Sequence, residues 1–246
     1  MAEPSPRSSC SIIIPAKNEA DNLEACITRL PQLGSWMELI FVEGGSTDGT
    51  WETMLNLRDK YSDRLPVKCL QQTGTGKRNA IDLGFAHAQG DILIILDADL
   101  TVPPEAMTLF YETIDSGKAD LANGCRLCYP LSYRAMPLLN QMANHFFAGL
   151  LSWLLNIQIK DSLCGSKAVR RSEYQKILQS NLSLKDRDPF GDFDLLFCAS
   201  KLGLTITDVP VPYYPRTYGK SNINHVRDGF KLLGICWYIY RTNRKI

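Results

Sequence analysis

The sequence predicts an α/β fold in which helices cover both faces of a mixed, mostly parallel central sheet. Short apolar runs alternate with helical patterns through the first half of the chain, most clearly at residues 11–14, 38–42 and 92–96. Strands that are apolar at successive positions are buried on both faces, which is typical of parallel sheets in α/β proteins. No Pro- or Gly-rich linker divides the chain, so both halves are expected to share one sheet.

The individual elements follow from apolar periodicity and from the turn residues between the runs. Asp21 and Asn22 are candidate caps for the first helix. A Gly-rich loop at residues 73–77 precedes the third helix. The predicted strands are 11–14, 38–42, 67–70, 92–96, 119–126, 166–169 and 205–211, and the predicted helices are 18–30, 50–60, 78–88, one that starts near 101–105, 133–155, 193–202 and one within 221–241.

Composition and charge exclude several classes of protein. The chain has 246 residues, of which 45% are hydrophobic and 22% charged, and its net charge is +1. This is an ordinary globular composition, and the near-neutral charge argues against a nucleic-acid partner because phosphate-backbone binding needs a basic surplus. Residues 1–9 lack the apolar run of a signal peptide. We therefore expect a cytoplasmic protein with a disordered tail at 1–9 and a single domain over 10–222.

Two apolar runs are too short to span a bilayer, which takes about 20 apolar residues. They lie at residues 146–157 and 229–240, and Arg241, Arg244 and Lys245 follow the second. Each run is either a core helix or a helix lying in a membrane interface. The basic residues suit an anionic surface, so residues 223–246 are predicted to form an amphipathic helix with a basic tail at the membrane.

Polar residues follow four consecutive predicted strands. Ligands of open parallel sheets bind outside the carboxyl ends of the strands. Packing alone does not explain why polar residues follow four strands in a row. The sequence therefore predicts a binding crevice at this edge of the sheet. The residues are 15–19 after the first strand, Glu43 and Asp48 after the second, Gly74, Gly76 and Lys77 after the third, and Asp97 and Asp99 after the fourth.

Asp97 and Asp99 are the most specific single feature. Two carboxylates two positions apart at the end of a buried strand can approach one divalent cation, and hard oxygen ligands suit Mg²⁺ or Mn²⁺. Such ions often bridge protein carboxylates to substrate phosphates. The alternative is a loop or helix cap before residues 101–105.

Six segments in order resemble glycosyltransferase family 2, whose GT-A fold is a Rossmann-like domain that binds nucleotide-diphosphosugars. They are residues 14–19, 42–50, 97–100, 124–126, 160–167 and 216–221. Within that family the chain is most similar to the dolichol- and polyprenyl-phosphate mannosyl- and glucosyltransferases, over residues 11–224. Two positions differ from the family pattern. The family has a second acidic residue where this chain has Gly44, and some members have Gln where this chain has Thr101.

The resemblance implies a role for each matching residue. Asp97 and Asp99 would hold Mg²⁺ or Mn²⁺ on the donor diphosphate, and Asp99 would take part in catalysis. Arg126 and Arg216 would bind the acceptor phosphate through their bidentate guanidinium groups. A surface ion pair is the alternative for either arginine. The implied substrate-binding residues are Pro15, Ala16, Asn18, Glu19, Glu43, Ser46, Asp48, Gly74, Gly76, Lys77, Asp97, Lys167, Lys220 and Ser221.

The resemblance implies metal-dependent, inverting transfer of a sugar from a GDP-mannose or UDP-glucose type of donor to polyprenyl or dolichyl phosphate. The enzyme would work peripherally on the cytosolic face of a membrane, with a membrane-anchoring partner subunit as one option. A second hypothesis is transfer to a hydroxyl group, with Asp192 or Asp194 as the base; helix capping is the alternative for Asp192. A third is a non-catalytic subunit that binds nucleotide-sugars.

Overall fold

A computed structural model describes residues 7–180, 182–184, 187–188, 190–219 and 225–243. Seven strands form one sheet in the order β3-β2-β1-β4-β6-β5-β7. Only β6 runs antiparallel to its neighbours β4 and β5, which confirms the mixed, mostly parallel sheet. The strands are β1 Cys10–Ala16, β2 Met37–Glu43, β3 Val67–Gln71, β4 Ile92–Ile95, β5 Leu121–Cys125, β6 Lys167–Arg170 and β7 Ile206–Pro210.

The described residues contain eight α-helices. The sequence pattern does not predict α6, because only Tyr174 and Ile177 of this short helix are buried. The predicted helix at 133–155 begins later, since Pro137 is extended and precedes its first turn. The helices are α1 Leu23–Thr28, α2 Thr50–Tyr61, α3 Lys77–His87, α4 Met107–Asp115, α5 Leu138–Leu155, α6 Arg171–Gln179, α7 Asp192–Lys201 and α8 His225–Asn243.

The start of the first helix differs most from the prediction. Asn18 has a φ of 57°, which lies in the left-handed region and prevents a helix from starting there. A 3-10 turn over Ala20–Asn22 leads into α1 instead. Asn22 occupies the N-cap position of α1, as predicted, but neither it nor Asp21 caps the helix through its side chain.

Alternate residues of the strands face two separate cores. Ile12 and Ile14 of β1 pack with α1, α2 and α4 on one side of the sheet. Ile13 of β1 packs on the other side, in a core that includes α3, α5, α7 and α8. Burial on both faces explains why the central strands are apolar at most positions.

The two short apolar runs are divided between core and surface. In α8, Ile235 and Ile239 are buried against α5, whereas Trp237 on the opposite face is 60% exposed. In α5, Leu151 is buried and Trp153 is 67% exposed. Among the described helices, none is long and apolar enough to cross a membrane.

The predicted tail and C-terminal boundary fall partly outside the described residues. Residues 1–6, 220–224 and 244–246 are not described. Ser8 and Ser9, which fall in the predicted tail, donate through their backbone N–H groups to Asp115 and Asp91.

Candidate active site

A cleft of about 580 Å³ opens at the carboxyl ends of β1 to β4. Parallel strands end at the same edge of a sheet, so residues far apart in the sequence meet there. The cleft brings together many of the residues that the sequence singles out. These are Pro15, Ala16, Glu19, Gly76, Lys77, Asp97, Asp99, Arg126, Asp192 and Arg216.

Four of the predicted substrate-binding residues do not line the cleft but organise the loops beside it. The Asn18 N–H donates to Ser46 Oγ over 3.0 Å, and the Ser46 N–H donates to the Glu43 carboxylate. Asp48 accepts hydrogen bonds from the Ala20 N–H and from Thr50. These contacts hold the loops after β1 and β2 together, while substrate contact by Asn18, Glu43, Ser46 and Asp48 stays a prediction.

Three further predicted residues line a second cavity of about 670 Å³ rather than the cleft. They are Gly74, Lys167 and Asp194. The Gly74 N–H donates to Asn79 Oδ1 over 3.1 Å, so this glycine shapes its own loop. Lys220 and Ser221 lie outside the described residues.

Asp97 forms an ion pair with Lys77, the first residue of α3. Burial acts to lower the pKa of the Lys77 ammonium, but the negative charges of Asp97 and Asp192 raise it above its ordinary value. The backbone at Gly165 lies directly against this pair, because a Cβ there would overlap with both Lys77 Nζ and Asp97 Oδ2. A Cβ at this position would therefore displace at least one of the two charged groups.

Asp99 is engaged on both carboxylate oxygens. Oδ1 accepts hydrogen bonds from the N–H and hydroxyl of Thr101, at 3.0 and 2.8 Å. Oδ2 pairs with Arg216 Nη2 at 2.7 Å, and the other terminal nitrogen of Arg216 pairs with Glu19 at 2.5 Å. Arg216 therefore connects the end of β1 to the end of β4. The turn-capping alternative and the metal-site prediction both fit the position of Asp99.

The donor set fits a divalent cation only if a substrate completes the coordination. Within the described residues, no group of three His, Cys, Asp or Glu side chains could hold an ion by itself. Asp97 and Asp99 nevertheless both reach the cleft. Mg²⁺ is commonly held by one or two carboxylates together with substrate phosphates and water, and these two residues match that pattern.

Arg126 lines the cleft, but its guanidinium group forms a bidentate ion pair with Asp161. Asp161 is not among the site residues predicted from the sequence. Nε and Nη2 of Arg126 donate to the two oxygens of Asp161 at 2.8 and 2.9 Å. Burial would raise the pKa of the Asp161 carboxyl, but the Arg126 charge and the hydrogen bond from Asn144 hold it at about 2. Arg126 thus forms a buried ion pair rather than the surface pair weighed as its alternative.

Asp192 and Asp194, the two candidate bases, have different surroundings. Asp192 faces the cleft and pairs with the buried Lys167 at 3.0 Å, and Lys167 also donates to the Cys164 carbonyl. Asp194 instead pairs with Arg78 and accepts from Ser183 outside the cleft. The capping alternative for Asp192 is wrong, because the capping position of α7 belongs to Gly191.

The cleft also contains charged residues that the sequence analysis misses. They are Arg227, Asp228 and Lys231 of α8. Lys17, by contrast, belongs to the predicted crevice segment 15–19 and does line the cleft. The α8 residues could not be predicted, because nothing in the sequence shows that this helix returns to the cleft.

Comparison with known families identifies the chain. Residues 11–178 match the family described as Glycosyl transferase family 2. The chain belongs to glycosyltransferase family 2. The family resemblance inferred from the motifs is thereby confirmed, and so is the assignment of the chain as a glycosyltransferase.

Curated relatives in this family include the dolichol-phosphate mannosyltransferase of Pyrococcus furiosus. It is 31% identical over 180 residues, which cover 71% of this chain and 50% of that protein. The glycosyltransferase AglD of Haloferax volcanii is 27% identical and is matched over 94% of this chain and 36% of its own length. An undecaprenyl-phosphate 4-deoxy-4-formamido-L-arabinose transferase of Salmonella paratyphi B is 26% identical over 92% of this chain and 66% of that protein. This chain thus spans between about a third and two thirds of the relatives it matches.

Solved structures confirm the GT-A fold. The glucosyl-3-phosphoglycerate synthase of Mycobacterium tuberculosis in complex with Mn²⁺ and UDP-glucose superposes with a TM-score of 0.66 at 21% identity. The match covers 94% of this chain and 79% of that one. The complex of the same enzyme with Mn²⁺, UDP and glucosyl-3-phosphoglycerate gives a TM-score of 0.64.

Removing Arg126 alone should destabilise the domain strongly. Arg126→Met leaves the Asp161 carboxylate buried without its cation, and breaking a buried pair in this way costs about 3–5 kcal/mol. Arg126→Met combined with Asp161→Asn removes both charges and should recover part of that loss. Urea denaturation of the wild type, both single variants and the double variant measures the coupling. A double variant that loses as much stability as the two single variants together would show that the pair contributes nothing.

The same pair sets an acid limit on stability. The pKa of Asp161 in the folded state, about 2, lies below its ordinary value of 3.8. The stabilisation is therefore present above about pH 4 and is lost as the pH falls towards 2. The double variant should show a shallower loss of stability than the wild type over this interval.

Proposed function

We propose that this chain transfers a hexosyl group from a nucleoside diphosphate sugar of the GDP-mannose or UDP-glucose type to a polyprenyl phosphate. The observation that carries the proposal is the position of α8. One end of the helix brings Arg227 and Lys231 to the cleft, and its outer face exposes Phe230 and Trp237. A charged cleft beside an exposed apolar surface suits an acceptor with a phosphate head and a hydrocarbon tail.

The donor end of the cleft has the groups that a sugar diphosphate requires. Asp97 and Asp99 would hold a divalent cation, Mg²⁺ or Mn²⁺, which when bound neutralises charge on the diphosphate leaving group. Lys77 lies beside Asp97 and offers a second positive charge at the same place. The activities named for the relatives, which include a dolichol-phosphate and an undecaprenyl-phosphate transferase, support the choice of acceptor.

A phosphate nucleophile needs no protein base. The second pKa of a phosphate monoester is near 6, so the acceptor is largely ionised at neutral pH. A phosphate oxygen attacks the anomeric carbon from the face opposite the nucleoside diphosphate. The bond from that carbon to the diphosphate breaks as the new bond forms, and the configuration inverts. The protein's task is to hold two anions in line, for which Arg216, Arg227 and Lys231 supply positive charge in the cleft.

Transfer to a hydroxyl group is the second candidate, and one observation favours Asp192 over Asp194 as its base. Asp192 lines the cleft, whereas Asp194 is paired with Arg78 outside it. A non-catalytic binding subunit is the weaker reading, because both Asp97 and Asp99 are present and face the cleft.

Exposed apolar side chains on two neighbouring helices suit a membrane surface. Monomeric soluble proteins rarely expose large contiguous apolar patches. Peripheral attachment at the cytosolic face of a membrane, alone or beside an anchoring subunit, would place the cleft next to a lipid acceptor. We define the outer apolar face as Leu138, Leu139, Met142, Phe146 and Trp153 of α5 with Phe230, Leu233 and Trp237 of α8.

If the proposed reaction is correct, radioactive sugar should be transferred to the lipid and extracted with it into an organic solvent. Incubation with radiolabelled GDP-mannose or UDP-glucose, Mn²⁺ and a polyprenyl phosphate should yield a labelled lipid, whereas the matching polyprenol should yield none. Asp97→Asn should reduce the rate by at least about 100-fold, since it removes a charge from the donor site without opening a cavity. Asp59→Asn, which changes an exposed aspartate outside the cleft, is the matched control.

Two results would contradict this assignment. Equal transfer to the polyprenol would favour the hydroxyl reaction, as would a crippling effect of Asp192→Asn on transfer. Full activity of Asp97→Asn would remove the metal from the proposal.

Membrane binding by the outer apolar face should depend on both aromatic side chains and positive charge. The Arg241 guanidinium lies 4.7 Å from the centre of the Trp237 ring, so the two residues can reach the same surface. We expect wild-type protein to sediment with anionic liposomes, less so at high salt because the attraction is screened. Trp237→Ser with Arg241→Glu should release it, whereas Trp36→Ser, at a partly exposed tryptophan just before β2, should not. Wild-type protein that ignores anionic liposomes at low salt would contradict the prediction.

A further inference from the structure

Both carboxylates that would hold the cation already have a cationic side chain against them. Lys77 Nζ contacts Asp97, and Arg216 contacts Asp99. A divalent ion that approaches Asp97 therefore meets an ammonium group at the same carboxylate. Two cations within contact distance repel strongly in a partly buried site. Binding of the divalent ion to Asp97 is therefore less favourable while the ammonium group contacts the same carboxylate.

The local packing makes the competition direct. The Gly165 backbone lies against both Lys77 Nζ and Asp97 Oδ2, which restricts the space around the pair. Lys77 is anchored at the start of α3, whereas Asp97 follows β4. The flexible Lys77 side chain lines the cleft, so its ammonium can move away from Asp97 into the cleft, where the donor diphosphate would lie.

We propose that Lys77 is an internal counter-ion that competes with the divalent cation for Asp97 and is drawn off by the donor diphosphate. The inference rests on the proposed function. Binding of the nucleoside diphosphate moves the ammonium onto phosphate oxygens and frees Asp97 for the metal. Metal and donor then bind with positive coupling, and each raises the affinity for the other by the same factor. The free enzyme, with Lys77 on Asp97, binds the metal weakly.

Lys17 provides a control for long-range electrostatics. It lines the same cleft and carries the same charge, but among the described residues it forms no ion pair with Asp97 or Asp99. A general reduction of positive charge would affect metal binding similarly in Lys17→Met and Lys77→Met. Direct competition would affect it only in Lys77→Met.

The test measures Mn²⁺ binding without nucleotide, from the electron paramagnetic resonance signal of the free ion. Lys77→Met should bind Mn²⁺ about tenfold more tightly than the wild type, and Lys17→Met should stay within about twofold of it. UDP or GDP should strengthen Mn²⁺ binding less in Lys77→Met than in the wild type. Lys77→Gln and thermal melting show whether any change comes from misfolding.

The outcomes separate the inference from the proposed function. Unchanged or weaker Mn²⁺ binding by a folded Lys77→Met overturns the competition, and so does an equal gain in Lys17→Met. The proposed transfer, measured by organic-phase label, can stand in either case. Tight Mn²⁺ binding that persists in Lys77→Met with Asp97→Asn also overturns the inference, because the ion would then lie elsewhere.

Discussion

Ion pairing of carboxylates at the carboxyl edge of the sheet is the interaction on which the rest of this structure depends. Parallel strands concentrate acidic residues at that edge, and a buried carboxylate without a partner costs several kcal/mol. Five aspartates in or near the cleft and the second cavity each have a cation supplied by a different segment of the chain. The pairs are Asp97 with Lys77, Asp99 with Arg216, Asp161 with Arg126, Asp192 with Lys167 and Asp194 with Arg78.

These pairs connect elements that are remote in the sequence. Arg216 follows β7 yet contacts Glu19 after β1, and α8 reaches the cleft with Lys231. The family match ends at residue 178, so part of the cleft is built by residues beyond it. Donor-side residues come mainly from the matched region, whereas the C-terminal residues join the cleft to the outer apolar face. The part of the chain beyond the family match thus lies where the proposed acceptor would bind.

Sequence reasoning predicted the sheet and the location of the cleft, because both depend on local patterns. The apolar strands and the polar residues at their ends are visible one segment at a time, and Asp97 and Lys77 indeed meet. The pairing of Arg126 with Asp161 could not be predicted in this way, since it depends on tertiary packing 35 residues apart. The burial of Lys167 also depends on tertiary packing and could not be predicted for the same reason. The return of α8 to the cleft depends on which face of an amphipathic helix packs against α5, which periodicity alone does not decide.

The central claim is that the cleft binds a nucleoside diphosphate together with a divalent cation at Asp97 and Asp99. Isothermal titration of UDP and GDP into the wild type and Asp97→Asn, each in Mn²⁺ and in EDTA, tests it directly. We predict that the wild type binds one of the two nucleotides at least about tenfold more tightly in Mn²⁺ than in EDTA, and that Asp97→Asn loses this difference. Failure of the wild type to bind either nucleotide, or the same metal dependence in Asp97→Asn, would contradict the claim.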